Sequence, residues 1–274
     1  VMDVPIEEAS RFGILTTNEE NRITEFEEKP PEPKSTKASM GIYIFSYEVM
    51  KEYLQKDELD PNSENDFGKN VIPMMLQDGC RMYTYGFQGY WKDVGTLGSY
   101  WEANMELVDI IPEFNLYEEF WRIYTKSDAL PPQYIADNTK IGECIIGEGT
   151  EIYGEVKHSV IGSSVTIEEG AVVKESIIMN GAVVGKNCVI DKAIIAENVV
   201  IGDGVTLGVG EYAPSEYNPK VYAFDLVTIG EKSVIPAGVK IGKNTAIFGE
   251  TTSDDYPSGE LKSGGSIIKV GDLA

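Results

Sequence analysis

Positive charge is scarce in this 274-residue chain: 23 Lys and Arg stand against 45 Asp and Glu, a formal net charge of −22 with His neutral. A field of that sign repels phosphate backbones and anionic headgroups, so nucleic acid and membrane surface are poor readings. Salt screens it over about 10 Å, which leaves room for a small anion held by a local lysine. Cysteine is scarce as well. Cys80, Cys144 and Cys188 lie far apart with no CxxC spacing, which argues against a disulfide framework or a thiolate zinc site and fits a reducing cytoplasm. Histidine occurs once, at His158. No apolar run approaches the roughly 18 residues that span a bilayer. The opening Val-Met-Asp-Val-Pro-Ile-Glu-Glu has neither the basic nor the apolar region of a secretory signal. What is abundant is apolar residues, 42% of the chain, enough for a sizeable core, and the length suggests two domains.

The two parts differ in texture. Up to residue 110, strand and helix signals alternate, the pattern of an α/β domain. Gly13 to Thr17 and Arg22 to Glu28 are β-prone runs around the polar Asn18-Glu19-Glu20-Asn21, which predicts a hairpin. Ser39 to Phe45 is an apolar run of buried-strand length, and Tyr47 to Gln55 carries Val49, Met50, Tyr53 and Leu54 at helical spacing. Phe67, Val71, Met74 and Met75 predict another helix, with Asn65 and Asp66 as competent caps. Arg81 to Phe87 reads as a strand and Leu97 to Ile110 as a helix. Residues 111–133, with Pro112, Pro131 and Pro132 around a Tyr/Glu/Trp-rich stretch, read as a connector.

Beyond it, aliphatic residues recur every six positions: Ile161, Ile167, Val173; Ile178, Val184, Ile190; Ile195, Ile201, Leu207; Ile229, Ile235, Ile241, Ile247. That period fits neither a helix nor a hairpin array and is the mark of a parallel β-helix, here over 134–252. Each unit supplies one short strand and a corner, three units make a coil of about 18 residues, and coils stack at about 4.8 Å. The aliphatic residue points inward. A glycine often follows it, as at Gly162, Gly185 and Gly202, giving room for a tight corner. Two positions earlier the residue is small, and Cys144 and Cys188 occupy that slot as packing residues. Residues 208–226 break the array and predict a protruding loop, while 253–274 form a mixed tail with a strand candidate at Ile267 to Val270.

Few residues suggest chemistry. Glu28-Lys29-Pro30 ends the hairpin, where Pro30 stops the pairing; the ammonium would neutralise a phosphate and the carboxylate would accept from sugar hydroxyls, or both are simply solvated. Ser39 offers a hydroxyl near Gly41. In Trp91-Lys92-Asp93-Val94-Gly95-Thr96, Asp93 stands where an α/β domain places a metal-binding carboxylate, with a helix cap as the alternative. Arg11 is either an anion ligand or a surface residue. His158 sits at a corner of the repeat region. There it is a general base of the kind used by β-helix acyltransferases, or a solvated corner residue.

Together, Pro5-Ile6-Glu7-Glu8-Ala9-Ser10-Arg11-Phe12-Gly13, Phe26-Glu27-Glu28-Lys29-Pro30, Ala38-Ser39-Met40-Gly41-Ile42-Tyr43, Tyr90-Trp91-Lys92-Asp93-Val94-Gly95-Thr96 and the hexapeptide array resemble the bacterial glucose-1-phosphate adenylyltransferases, or ADP-glucose pyrophosphorylases. The resemblance covers nearly the whole chain. It implies an incomplete Rossmann-like nucleotidyltransferase domain, residues 1–110, followed by a left-handed parallel β-helix. The implied activity joins ATP and glucose 1-phosphate into ADP-glucose and pyrophosphate for glycogen synthesis. Carried onto matching positions, Glu28 binds glucose hydroxyls, Lys29 grips the sugar phosphate, Ser39 hydrogen-bonds the same ligand and Asp93 holds Mg²⁺. A cytoplasmic homotetramer built partly through the β-helix, with allosteric control by glycolytic intermediates, is implied too. The family's Gly-Gly-x-Gly-Thr-Arg-Leu phosphate loop and its second metal carboxylate have no counterpart in these 274 residues. The chain is therefore expected to be the C-terminal part of such an enzyme, without turnover by itself. A catalytically silent regulatory subunit, or transfer from another NTP or to another sugar phosphate, stays open.

Overall fold

The computed structural model describes residues 1–126 and 128–269. The chain divides into two compact units, Val1–Trp91 and Lys92–Ala274. The first is built on an antiparallel sheet of order β1-β4-β2-β3, where β1 is Met2–Asp3, β2 Gly13–Thr17, β3 Ile23–Glu28 and β4 Lys37–Ala38. β2 and β3 are the expected hairpin. At its turn the Asn18 side-chain oxygen accepts from the N–H groups of Glu20 and Arg22 at 3.0 and 2.9 Å, a local bond that Asn makes readily. Ile14 and Leu15 are adjacent and point to opposite faces, yet both are buried, so the sheet is covered on both sides. Ile14 packs with Phe12, Ala9 of the short helix α1 (Ile6–Ala9), Ala38 and Trp91. Leu15 packs with Phe26 and Ile72.

Helix α2, Tyr47–Glu58, forms where the helical spacing predicts it. The segment after Asp66 does as well, with a twist: its first turn, Phe67–Val71, is a wide π-turn that passes into α3, Ile72–Gln77. Asp66 caps it by accepting from Lys69 N–H at 2.8 Å. Two strand expectations fail. Ser39 to Phe45 is not a strand; Gly41 takes φ +72°, which breaks the extended backbone, and Ile44 is fully exposed. Arg81 to Phe87 contributes a single bridge, Arg22 to Tyr83, and no ladder.

The second unit is the hexapeptide solenoid. Every aliphatic residue of the six-residue series is buried to within 1% of complete, and they form one continuous core. All strand pairs in the solenoid are parallel, with Ile161 opposite Ile178 and Ile178 opposite Ile195. Ile195 then pairs with Ile229, since residues 210–226 leave the ladder; the loop expected over 208–226 starts two residues later, because Gly208 and Val209 still belong to the strand Thr206–Val209. A Cβ on Gly162 would lie 2.8 Å from the backbone nitrogen of Asn180 in the next coil, so the glycine is required there for space. The Asn180 side chain then bridges the coils, accepting from Ser163 N–H at 2.8 Å. Cys188 is fully buried and Cys144 partly, each donating to a carbonyl at 3.1 Å, from Cys188 to Gly202 and from Cys144 to Gly142. Burial pushes both thiols up, as suits packing residues.

One outer face of the solenoid is covered by helix α4, Leu97–Val108, which lays Leu97, Tyr100, Trp101 and Met105 on Val160, Ile177, Ile194 and Leu226. Spacing of 3, 4 and 8 residues puts those four side chains on one helical stripe. Trp101 Nε1–H donates to the Glu175 carbonyl at 2.6 Å, and the Lys192 ammonium sits 4.8 Å above the indole. At the far end Glu260–Leu261 and Ser266–Ile268 add further parallel rungs, so the strand candidate near Ile267 extends the ladder; Val270 and the rest of the tail lie outside the described residues. Tyr256 closes the core, and its hydroxyl donates to Thr251 Oγ1 at 3.2 Å.

Candidate functional site

Three of the six residues singled out for chemistry, Glu28, Lys29 and Ser39, gather at one rim of the first unit. The hairpin register sets Gly13 opposite Glu28, so the strand end that carries Glu28-Lys29 is tied to the start of β2. Lys29 continues that contact by donating its N–H to the Phe12 carbonyl at 3.1 Å, with φ at +48°. Ser39 N–H donates to the Gly13 carbonyl at 2.7 Å from the other side. Phe12 and Gly13 are therefore the backbone on which Glu28, Lys29 and Ser39 all hang.

The side chains follow suit. Lys29 Nζ lies 3.8 Å from Glu28 Oε1, the lysine two-thirds exposed and the glutamate mostly covered. The Ser39 hydroxyl is 3.0 Å from the hydroxyl of Tyr43 and accepts from Gly41 N–H at 3.3 Å. Burial raises the Tyr43 phenol above its ordinary value, the Ser39 hydrogen bond opposes this, and the charges of Glu28 and Asp66 add to the rise. Tyr43 is thus a neutral donor throughout the physiological range. Tyr43 and Phe45 both stack on Phe67, at 5.7 and 5.8 Å between ring centroids, which ties the Ser39–Phe45 segment to the π-turn. A carboxylate, an ammonium and two hydroxyls beside an aromatic wall make the donor and acceptor set that a phosphorylated sugar needs.

Tyr43, Asp66 and Gly68 also neighbour this carboxylate, which the sequence alone does not indicate: the charges of Glu28 and Asp66 act on the Tyr43 phenol, and a Cβ on Gly68 would stand 3.0 Å from the Glu28 carboxyl carbon. In the sequence Tyr43 is one member of an apolar run among several, and Asp66 reads only as a cap, a role it does fill. Nothing in the sequence brings them to Glu28; the hairpin register and the aromatic stack do.

Asp93 is the second residue of the second unit. The cap of α4 is Thr96, whose Oγ1 accepts from Ser99 N–H at 3.1 Å while Ser99 Oγ accepts from Thr96 N–H at 3.2 Å, so the helix-cap alternative for Asp93 is not realised. Both Asp93 carboxyl oxygens lie 3.2 Å from where a Gly95 Cβ would be, folded over that glycine. Among the described residues no three His, Cys, Asp or Glu side chains group as a metal cage. Mg²⁺ at phosphate-transfer sites is held by one or two carboxylates together with substrate phosphates and water, so Asp93 supplies one such ligand at most.

The remaining candidates have structural occupations. Arg11 pairs with Glu8 at 3.8 Å and its guanidinium lies 5.6 Å from the Phe12 ring. His158, at φ +45°, turns Nδ1 to Glu175 Oε2 at 3.1 Å and Nε2 to Asp109 Oδ1 at 3.4 Å. Burial lowers its pKa, but Glu175 and then Asp109 outweigh that and leave it above the ordinary histidine value. With both ring nitrogens turned to carboxylates, the imidazole has a structural occupation and neither nitrogen is left facing a substrate.

Comparison with known proteins also finds two parts, although the first match runs past the structural division at Trp91 and takes in α4. Residues 1–110 match the nucleotidyl transferase family and residues 131–217 the GlmU-like C-terminal hexapeptide family. A glucose-1-phosphate adenylyltransferase of Lachnospira eligens is 64% identical over 271 residues, 99% of this chain and 64% of that protein. The proteins of that name from Acetivibrio thermocellus and Thermotoga neapolitana are 47% and 54% identical, over 99% and 97% of this chain and 64% and 63% of their own lengths. The chain thus spans just under two thirds of the length of these relatives. No helix among the described residues is long and apolar enough to cross a membrane.

Proposed function

We propose that this chain, whose residues 1–110 match the nucleotidyl transferase family and whose residues 131–217 match a hexapeptide-repeat family, is part of a glucose-1-phosphate adenylyltransferase, which converts ATP and glucose 1-phosphate to ADP-glucose and pyrophosphate. The observation that carries this reading is the gathering of Glu28, Lys29, Ser39 and Tyr43 on the Phe12–Gly13 backbone. Glu28 accepts from glucose hydroxyls. Lys29 sits against the sugar phosphate, and its charge offsets that of the phosphate. Ser39 and Tyr43 donate to the same ligand and orient it, which turns a bimolecular encounter into a positioned one. A phosphate oxygen of glucose 1-phosphate then attacks the α-phosphorus of ATP in line, the new P–O bond forming as the bond to pyrophosphate breaks. Asp93 is the residue assigned to a divalent cation, with Mg²⁺ as the ion, whose charge offsets that developing on the phosphates.

On this reading the protein works in the cytoplasm as a homotetramer assembled partly through its solenoid, under allosteric control, in glycogen synthesis. The test is an assay of the full-length protein with glucose 1-phosphate and each of the four NTPs, repeated with Asp93→Asn. ADP-glucose formation with ATP well above the other nucleotides, and a kcat loss of about a hundredfold or more in the variant, is expected for an ion-holding carboxylate. Preference for UTP, CTP or GTP would reassign the base, and no turnover with any nucleotide would favour a silent regulatory subunit.

A further inference from the structure

Glu28 is seated by two side chains that are missing. A Cβ on its cross-strand partner Gly13 would stand 2.8 Å from Glu28 Oε2 and 2.6 Å from Phe26 Cζ. A Cβ on Gly68 would stand 3.0 Å from the Glu28 carboxyl carbon, closer still to Oε2, and 3.3 Å from Asp66 Oδ1. Gly68 is buried and its φ is not positive, so the usual conformational reason for a glycine does not apply. It is the second residue of the helical turn Phe67–Val71, directly after the Asp66 cap, and glycine is a weaker helix former than alanine. That turn is the wide one, with Val71 N–H reaching back to the Asp66 carbonyl at 3.2 Å, a departure from α geometry that recurs at functional sites. Locally, then, alanine would serve the turn better; what it would disturb is the Glu28 carboxylate.

We infer that Gly68 is a positioning residue for the sugar phosphate: by withholding a Cβ it lets the Glu28 carboxylate lie against the π-turn, and with Gly13 it fixes where that carboxylate meets the sugar hydroxyls. This rests on the reading of Glu28 as the acceptor for those hydroxyls. The atom that an added methyl meets is the end of a flexible side chain, so the fold absorbs the substitution by turning Glu28 aside. The backbone stays. The carboxylate does not.

Steady-state kinetics of Gly68→Ala in the full-length protein test this. The expected result is a rise of about tenfold or more in the KM for glucose 1-phosphate, the order of a displaced hydrogen-bonding group. The effect should fall on that KM rather than on kcat or on the ATP KM, with a thermal midpoint equal to or above the parent's. Shortening Glu28 supplies a second readout. Glu28→Asp withdraws the carboxylate by one methylene, so adding Gly68→Ala to Glu28→Asp should cost little beyond Glu28→Asp alone, a non-additive pair. A native KM in Gly68→Ala, or parallel rises in both substrates' KM with a lower midpoint, would overturn the inference. Glu28→Gln separates the two layers: if it leaves the glucose 1-phosphate KM unchanged, the reading of Glu28 is wrong. If Glu28→Gln raises that KM and Gly68→Ala does not, only the role of Gly68 is lost.

Discussion

Lys29 holds a left-handed backbone, φ +48°, in a residue type that gains nothing from it. That conformation costs an L-residue about 1 kcal/mol, and the contacts in the structure do not offset it strongly. The ammonium lies 3.8 Å from Glu28 Oε1 with two-thirds of the side chain in water, and such an exposed pair contributes about 0–1 kcal/mol. Glycine would adopt the same backbone freely, at an entropic cost of about 0.5–1 kcal/mol in the unfolded chain. Lys29→Gly therefore nets to within about 1 kcal/mol of the parent, because relieved strain, lost pairing and chain entropy nearly cancel. Binding behaves differently. A charged hydrogen bond to phosphate is worth about 1.5–3 kcal/mol, which is about 10- to 150-fold in the KM for glucose 1-phosphate. The two quantities separate in one variant: urea denaturation reads the first and initial-rate kinetics with varied glucose 1-phosphate the second. Lys29→Ala keeps the strain, so it should match Lys29→Gly in KM while being the less stable of the two. A native KM in Lys29→Gly refutes the phosphate role. A stability loss of several kcal/mol would instead mean that the lysine is where it is for the fold.

Neighbouring solenoid positions should respond in opposite ways: Ile201→Ala, at 1% exposure, is expected to cost about 2–5 kcal/mol. Val200→Ala, one residue earlier and 43% exposed, should stay within about 0.5 kcal/mol by urea denaturation. The His158 clamp should be pH-dependent with a definite sign. Its pKa is raised in the folded state by Glu175 and Asp109 against the lowering effect of burial, so its contribution is complete below the ordinary histidine value and disappears as pH rises through the raised one. His158→Gln should thus destabilise the second unit at about pH 5 and have little effect at about pH 9; a penalty that grows with pH would contradict the geometry at Asp109 and Glu175.

The solenoid was legible because its rule is local and repeated. A side chain every six residues must enter a prism whose cross-section is fixed by three short strands, and Ile161, Ile178 and Ile195 obey that rule without reference to anything distant. The loop was legible, to within two residues at its start, for the converse reason, as a stretch where the rule stops. In the first unit the hairpin could be read from its turn, but the fate of Ser39 to Phe45 could not. Its apolar composition suits a strand, and only the left-handed Gly41 and the stacking of Tyr43 and Phe45 on Phe67 decide otherwise. The candidate site divides the same way. Glu28 and Lys29 announce themselves as a charged pair at a strand end before Pro30, whereas Tyr43, Asp66 and Gly68 acquire meaning only once tertiary contacts bring three separate segments to one carboxylate. Gly68 is the limiting case. A sequence can display an unexpected residue, but an omitted methyl carries information only when the structure shows which atom occupies its place.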